Sequence, residues 1–395
     1  MGAKRKDPSA PVFVGDLYSR ALLRDPYPAY RTIRDLGEAV WMPRWKLWAI
    51  GRFDDVRAAL RADDVLISGK GVAANDLLNG GPSAITLTSD GAVHERRRAT
   101  LITPVSPGPL RALRPRLEAE AAALIERLAN GQAFDAMSSL AAHLPVTVIA
   151  ELVGLNAEGR SNMLRWASGT FNALGVMNAR GRRALPLLAE LQRYAGGLRR
   201  EMVTPGGWAD QLFDAAQRGE LSPIEANAMI IDYVAPALDT TILATGFMLR
   251  ALSQAPDAFD QIRSDPSLVA GAVNESVRLA SPIRGFTRLA AEDHVAGSVR
   301  ISRGDRVLVL FASANHDERR YGDPEVFDVK RNPRDHVGWG HGPHTCVGMH
   351  LARLEMEVVL ARLAAVVTRI ETSRPRLIEN NVLQGYARLE TRLIV

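Results

Sequence analysis

The chain has one cysteine, Cys346, and it lies in a stretch rich in glycine and histidine, GWGHGPHTCVGMH (338–350). Four of the eight histidines, His336, His341, His344 and His350, fall within fifteen residues of one another. Two chemistries use residues of this kind. Zinc binds thiolate and imidazole, and His341, His344, Cys346 and His350 are ligands of the right type. Their spacing is poor, because Cys346 and His350 fall on a predicted helix while His341 and His344 belong to the loop before it. The second chemistry uses the glycines. Gly338, Gly340, Gly342 and Gly348 let the backbone take unusual angles and approach a flat ligand closely. Cys346 enters a helix at its N-terminus, where free N–H groups and the helix dipole favour a thiolate. A thiolate held by backbone donors at the edge of a flat cavity suits the axial ligand of a haem iron.

A second segment is unusual for its polar content. DYVAPALDTTIL (232–243) lies inside a helical pattern, yet it contains Pro236, Asp239, Thr240 and Thr241. Proline removes a backbone donor and clashes with the carbonyl four residues earlier, here that of Asp232. The acid and the threonines compete for backbone hydrogen bonds.

Together these segments resemble the cytochrome P450 family. GWGHGPHTCVG is similar to its haem-binding loop, Phe-Gly-x-Gly-x-x-x-Cys-x-Gly, with Trp339 in place of the usual Phe. The resemblance implies that Cys346 is the axial ligand of the iron and that Trp339, Gly340 and Gly348 shape its loop. NESVRL supplies Glu275 and Arg278, similar to the family's Glu-x-x-Arg pair, and Arg331 in FDVKRNP stands where a third member completes a buried ion network. HERRR supplies His94 and Arg98, which with Arg288 and His344 match residues that contact the haem propionates; Arg96 and Arg97 read equally as a solvated face or a docking surface. PALDTT matches the kink of the helix that crosses the haem, with Pro236-Ala237 where Ala-Gly or Gly-Gly is usual. Thr240 then serves the dioxygen bound at the iron, and Asp239 relays protons inward.

These residues need a scaffold. The spacing predicts a mostly α protein with a minor β portion, a single domain over 25–395 with an N-terminal extension at 1–24, and, by resemblance, the cytochrome P450 fold. A helix is expected at 26–36, paired strands at 39–51, a helix at 52–62 and a long loop at 68–92. Helical periodicity then dominates from 93 to 281, including 109–130, 157–178, 183–202 and 222–254. Ser222, Pro223 and Glu225 form a capping-box start for the last of these, about 45 Å long if continuous. A second strand-rich patch is expected at 300–315 and a final helix at about 346–368.

Composition narrows the partners. The chain has 395 residues, 47% of them apolar, and a net charge of +5 without a long Lys/Arg run, so a nucleic-acid partner is not expected. No secretory h-region follows the basic opening, and a membrane span is not expected. A lone cysteine excludes an internal disulfide and fits the cytoplasm. There is no flavin or iron–sulfur motif. The resemblance therefore implies haem b as cofactor, dioxygen as co-substrate, a monomer, and electrons from a separate ferredoxin and ferredoxin reductase, docking near residues such as Arg98 and Arg353.

For the substrate, Lys70, Val72, Trp166, Phe171, Leu174, Asp232, Ala235, Ile283 and Phe286 match pocket-lining regions of the family. The pattern resembles bacterial members that oxidise small aromatic compounds. Asp232, about two turns before Asp239, would repel a carboxylate and accept a hydrogen bond from a phenol, whereas Lys70 would bind an acid or pair with Asp232. The expected activity is hydroxylation or oxidative O-demethylation of a small aromatic, a methoxyphenol rather than a benzoate. A terpenoid or other biosynthetic substrate, a peroxide-driven enzyme and a non-catalytic haem sensor or carrier are the alternatives.

Overall fold

A computed structural model describes residues 10–81 and 83–395. Most of the chain is helical, with three small sheets of five, three and two strands among the described residues. In the largest, Val40–Met42 pairs antiparallel with Leu47–Ile50, which pairs parallel with Arg306–Val309; Phe286–Ala290 and Leu66–Ile67 follow, both antiparallel. One sheet thus joins the N-terminal third to the segment after residue 286, because Trp48, Ala49 and Ile50 are buried beside Val307 and Val309.

Residues 10–24, read from sequence as an extension, pack onto this sheet. Val12 bridges to Trp41, the Phe13 N–H donates to the Trp41 carbonyl at 2.9 Å, and buried Arg284 donates to the Leu22 and Leu23 carbonyls. The remainder of that segment, 1–9, lies outside the described residues.

The helices fall close to their expected spans: Tyr27–Leu36, Phe53–Arg61, Pro107–Leu128, Ala157–Leu174, Ala179–Gly197 and Met349–Val366. Phe311–Asn315, expected within a strand-rich patch, is one helical turn instead. The strand pattern ends at Val309, and Asn315 is turned inward, where its side-chain oxygen accepts the Val337 N–H at 2.8 Å. A closing hairpin, Arg369–Leu377 with Tyr386–Ile394, was not expected. Its first strand is largely exposed and rich in arginine, so it lacks the inward alternation that marks a strand in sequence.

The 222–254 stretch is two helices. Ser222 and Glu225 form the reciprocal capping box of Pro223–Val234, and Asp239–Gln254 follows after a four-residue break. Taken together, Pro223–Gln254 is long and apolar enough to cross a membrane by length and composition alone, although it carries Glu225, Asn227, Asp232 and Asp239. Met229, Ile230, Met248 and Leu249 of this stretch are fully enclosed in the main core, whereas Ile224 is exposed.

Candidate active site

The glycine loop sets the cysteine. The Cys346 N–H donates to the Trp339 carbonyl at 2.8 Å, the Gly340 N–H to Val337 at 2.9 Å, and the Thr345 N–H to Gly342 at 3.0 Å. Gly340 and Gly342 have φ of +72° and +71°. A Cβ on Gly342 would meet the Leu60 carbonyl oxygen at 2.5 Å, so this turn admits only glycine. Cys346 is accessible although the fold encloses it, which places it on the wall of an interior space. Burial pushes its thiol up; the Gly348 N–H, the Arg98 charge and the Met349 N–H act in the opposite direction. Backbone donors at the start of Met349–Val366 face the sulfur and favour its thiolate, but burial outweighs them.

A buried ion network braces this loop. Arg278 donates from Nε and Nη2 to the two Glu275 carboxylate oxygens, each at 2.7 Å, and both side chains are 0% exposed. Arg331 Nε reaches Glu275 Oε1 at 3.0 Å. Arg278 also donates to the Asn315 and Pro324 carbonyls, at 2.6 and 2.8 Å. Asn315 holds Val337 in the cysteine loop, so the network and the loop share one residue.

His94, Arg98, Arg288 and His344 gather on the other side of the cysteine. The His94 and His344 rings stack with centroids 4.1 Å apart. Burial, then Arg288, His94 and Arg98, hold His344 down to about 3, and burial lowers Arg288 to about 10. Among the described residues no carboxylate hydrogen-bonds any of the four, and His94 Nε2 is a buried atom with no partner. The nearby Asp90 carboxylate already accepts the Ser68 and Gly69 N–H groups. Arg288 is an enclosed cation and Arg98 a half-buried one, with no hydrogen-bonded anion among the described residues, which is costly. Two carboxylates on a flat ligand would neutralise them, so the residues present fit a haem with its propionates. They fit zinc less well: among the described residues no three His, Cys, Asp or Glu side chains converge as a metal site.

The broken helix carries the acid and the alcohol. Residues 235–238 form the break, and the Thr240 hydroxyl donates to the Pro236 carbonyl at 3.2 Å. Asp239, at the start of the second helix, is raised to about 7 by burial. A carboxyl poised there exchanges protons readily near neutral pH.

The residues expected to line a substrate site separate into two groups. Leu174, Asp232 and Ile283 keep some accessible surface, and Ala235 and Phe286 retain a little, with Phe286 set edge-on to Phe311 at 6.1 Å. Val72, Trp166 and Phe171 are more deeply enclosed, in the same core cluster that includes Phe286. Trp166 is 0% exposed and stacks on Tyr194 at 4.9 Å, because the 157–174 and 179–197 helices close over it. Lys70 is exposed, and its contribution to the fold is its carbonyl, which accepts from Arg306 at 2.5 Å; it is no partner of Asp232 in the structure.

Asp232 accepts the Thr86 N–H at 2.8 Å, and burial raises its carboxyl to about 6 against the pull of Thr86, Leu87 and Arg97. Arg97 is buried and so belongs to neither a solvated face nor a docking surface, whereas Arg96 stays exposed. Both pair with Glu225, at 2.6 and 2.9 Å, and Arg97 also donates to the Ile85 carbonyl at 3.0 Å. Sequence reasoning assigned Glu225 only to a helix cap; nothing in the local pattern marks a contact made across more than a hundred residues. Glu355 was also missed. It is enclosed, carries a buried oxygen without a partner, and burial holds its carboxyl well above the usual range.

The glycine-held cysteine, the cluster of His94, Arg98, Arg288 and His344, and the interrupted helix together fit a haem-binding protein. The family model for "Cytochrome P450" matches residues 208–365. Cytochrome P450 CYP199A2 of Rhodopseudomonas palustris is 36% identical over 384 residues, covering 96% of this chain and 93% of that one. Linalool 8-monooxygenase of Pseudomonas putida is 30% identical, covering 96% and 97%. The crystal structure of CalO2 superposes with a TM-score of 0.82 at 27% identity, covering 96% and 98%. The chain belongs to the cytochrome P450 family: it is an oxidoreductase that uses haem, with dioxygen as co-substrate.

Proposed function

We propose that this cytochrome P450 is a monooxygenase of small uncharged aromatic compounds, hydroxylating them or removing a methyl group from a methoxyphenol, with benzoates excluded. The observation that carries the reading is the charge around the candidate pocket: Asp232 presents a carboxylate there, while Lys70, the cation that would bind an acid, faces outward. A second carboxylate brought beside Asp232 meets like charge in an enclosed space. The apolar side chains of Leu174, Ala235, Ile283 and Phe286 suit an aromatic ring.

Haem, held by Cys346 with His94, Arg98, Arg288 and His344 at its propionates, supplies the dioxygen-activating iron. Two electrons and two protons enter; one oxygen atom goes to the substrate and the other leaves as water. At a methoxy group, oxygen inserted into a methyl C–H bond gives a hemiacetal that releases formaldehyde and the phenol. The chain's own share is the proton path. Asp239 takes up a proton near neutral pH, and Thr240 presents a hydroxyl beside the opened carbonyls of the break. Electrons come from a separate ferredoxin and its reductase in the cytoplasm. Arg98 and Arg353 are both half-buried, and because Arg98 is assigned to the propionates, Arg353 is the docking residue put to the test.

The similarity to a linalool hydroxylase favours a terpenoid as the second reading. Titration of the ferric protein with methoxyphenols, the matched methoxybenzoates and linalool, followed at the Soret band, separates them. A spin shift with phenols and none with the acids is expected. A shift with the acids alone contradicts the charge argument, and a shift with linalool alone moves the substrate to terpenoids.

A further inference from the structure

Glu225 and Asp232 stand seven residues apart on the Pro223–Val234 helix, so they share one face about two turns apart. Both are turned toward the same neighbouring segment. Glu225 Oε1 receives Arg97 Nε at 2.9 Å, and Arg97 Nη1 donates to the Ile85 carbonyl at 3.0 Å. Asp232 Oδ2 receives the Thr86 N–H at 2.8 Å, with the Leu87 N–H also facing the carboxylate. The 85–87 backbone is thus gripped from both sides: its carbonyl by a cation anchored to Glu225, its amides by Asp232. Ser89 Oγ closes the loop on itself by donating to the Thr86 carbonyl at 2.7 Å. Thr86 and Ser89 are buried, so water does not replace these partners.

We infer that Asp232 is a positioning residue that fastens the 85–87 loop to the helix just ahead of its break and thereby sets the wall of the substrate site, rather than an acceptor for the substrate's own hydroxyl. This rests on the proposed aromatic substrate and narrows it. A carboxylate already engaged by backbone amides gains little from a phenol, so the site selects an uncharged ring and is indifferent to a free hydroxyl. A methoxyphenol and its methyl ether should then bind alike. The ionised form is the one that accepts both amides, and a neutral amide side chain in its place offers one acceptor oxygen and a competing donor group.

The test uses the ferric holoenzyme and its Asp232→Asn variant. Spin-shift affinities are measured for a methoxyphenol and for the corresponding dimethoxybenzene, and amide hydrogen exchange is followed over residues 83–89. The expected result is loss of affinity by a similar factor, about five- to tenfold, for both ligands, with faster exchange at Thr86 and Leu87 in the variant; Asp232→Glu restores part of each. Selective loss of the phenol with unchanged exchange overturns the inference and makes Asp232 a substrate acceptor. Where the variant fails to fold, the wild-type holoenzyme decides: slow exchange at Thr86 and Leu87 relative to neighbouring loop amides supports the latch, and exchange as fast as theirs overturns it. Absence of any spin shift with aromatics in the wild type defeats the substrate reading while the exchange data still judge the latch.

Discussion

Thr240 hydrogen-bonds the carbonyl of Pro236 at 3.2 Å, so the alcohol of the acid–alcohol pair is anchored to the residue that breaks its helix. Pro236 has no N–H of its own to offer, and the break leaves its carbonyl for the hydroxyl. The two features read separately in the sequence are one device: the break positions the alcohol. Thr240→Ala should leave electron uptake in place and lower product per electron pair by roughly tenfold or more, the excess appearing as hydrogen peroxide. Product formation that stays coupled in this variant, measured against NADH or NADPH consumption, would remove Thr240 from proton delivery.

Asp239 gives a prediction with a definite sign. Burial raises its carboxyl from the ordinary value to about 7, so the folded state binds more protons than the unfolded state between about pH 4 and 7. Its contribution to stability is therefore fullest at low pH and declines as pH rises through that window. Asp239→Asn should be stabilised relative to the wild type at pH 8 and not at pH 4, as judged by the difference in thermal midpoints. The same substitution should slow coupled turnover and abolish an ionisation near neutrality in its pH profile. Equal midpoint differences at both pH values would contradict the burial of an unpaired carboxyl there.

The Glu275–Arg278–Arg331 network should matter through stability. Glu275→Gln leaves Arg278, 0% exposed, without its counter-charge and should cost about 3–5 kcal/mol in denaturant unfolding. Arg331→Lys should cost much less, because Arg331 is partly exposed and contributes one bond to Glu275. Similar losses for both variants would mean that the network is not centred on the buried pair.

Much of this was legible in the sequence because the chemistry is local. The glycine turn, the Glu-x-x-Arg pair at helical spacing and the acid–alcohol pair each lie within a dozen residues, and the capping box marks where the broken helix begins. What was illegible depends on long-range packing. Trp166 has the composition of a pocket residue, and only the closing of two helices over it makes it core. Arg97 resembles its exposed neighbours until Glu225 is folded against it. Asp232 reads as a lone acid near a pocket because its partners are the backbone amides of a loop nearly 150 residues earlier, and amides leave no trace in side-chain patterns.

Ferredoxin docking on a chain of net charge +5 should be electrostatically steered. The rate of first electron transfer should fall as salt rises, and Arg353→Glu should slow it without altering the substrate-induced spin shift. A rate indifferent to salt and to this substitution would place docking on another surface.

The central claim is that Cys346 holds haem iron through a thiolate. The most direct measurement is the spectrum of the reduced, carbon monoxide-bound holoprotein, compared with that of Cys346→Ser. The wild type should show the strongly red-shifted Soret band of thiolate ligation, and the variant should lose it. A wild-type protein that binds no haem on reconstitution, or a red-shifted band that persists in Cys346→Ser, would contradict the account.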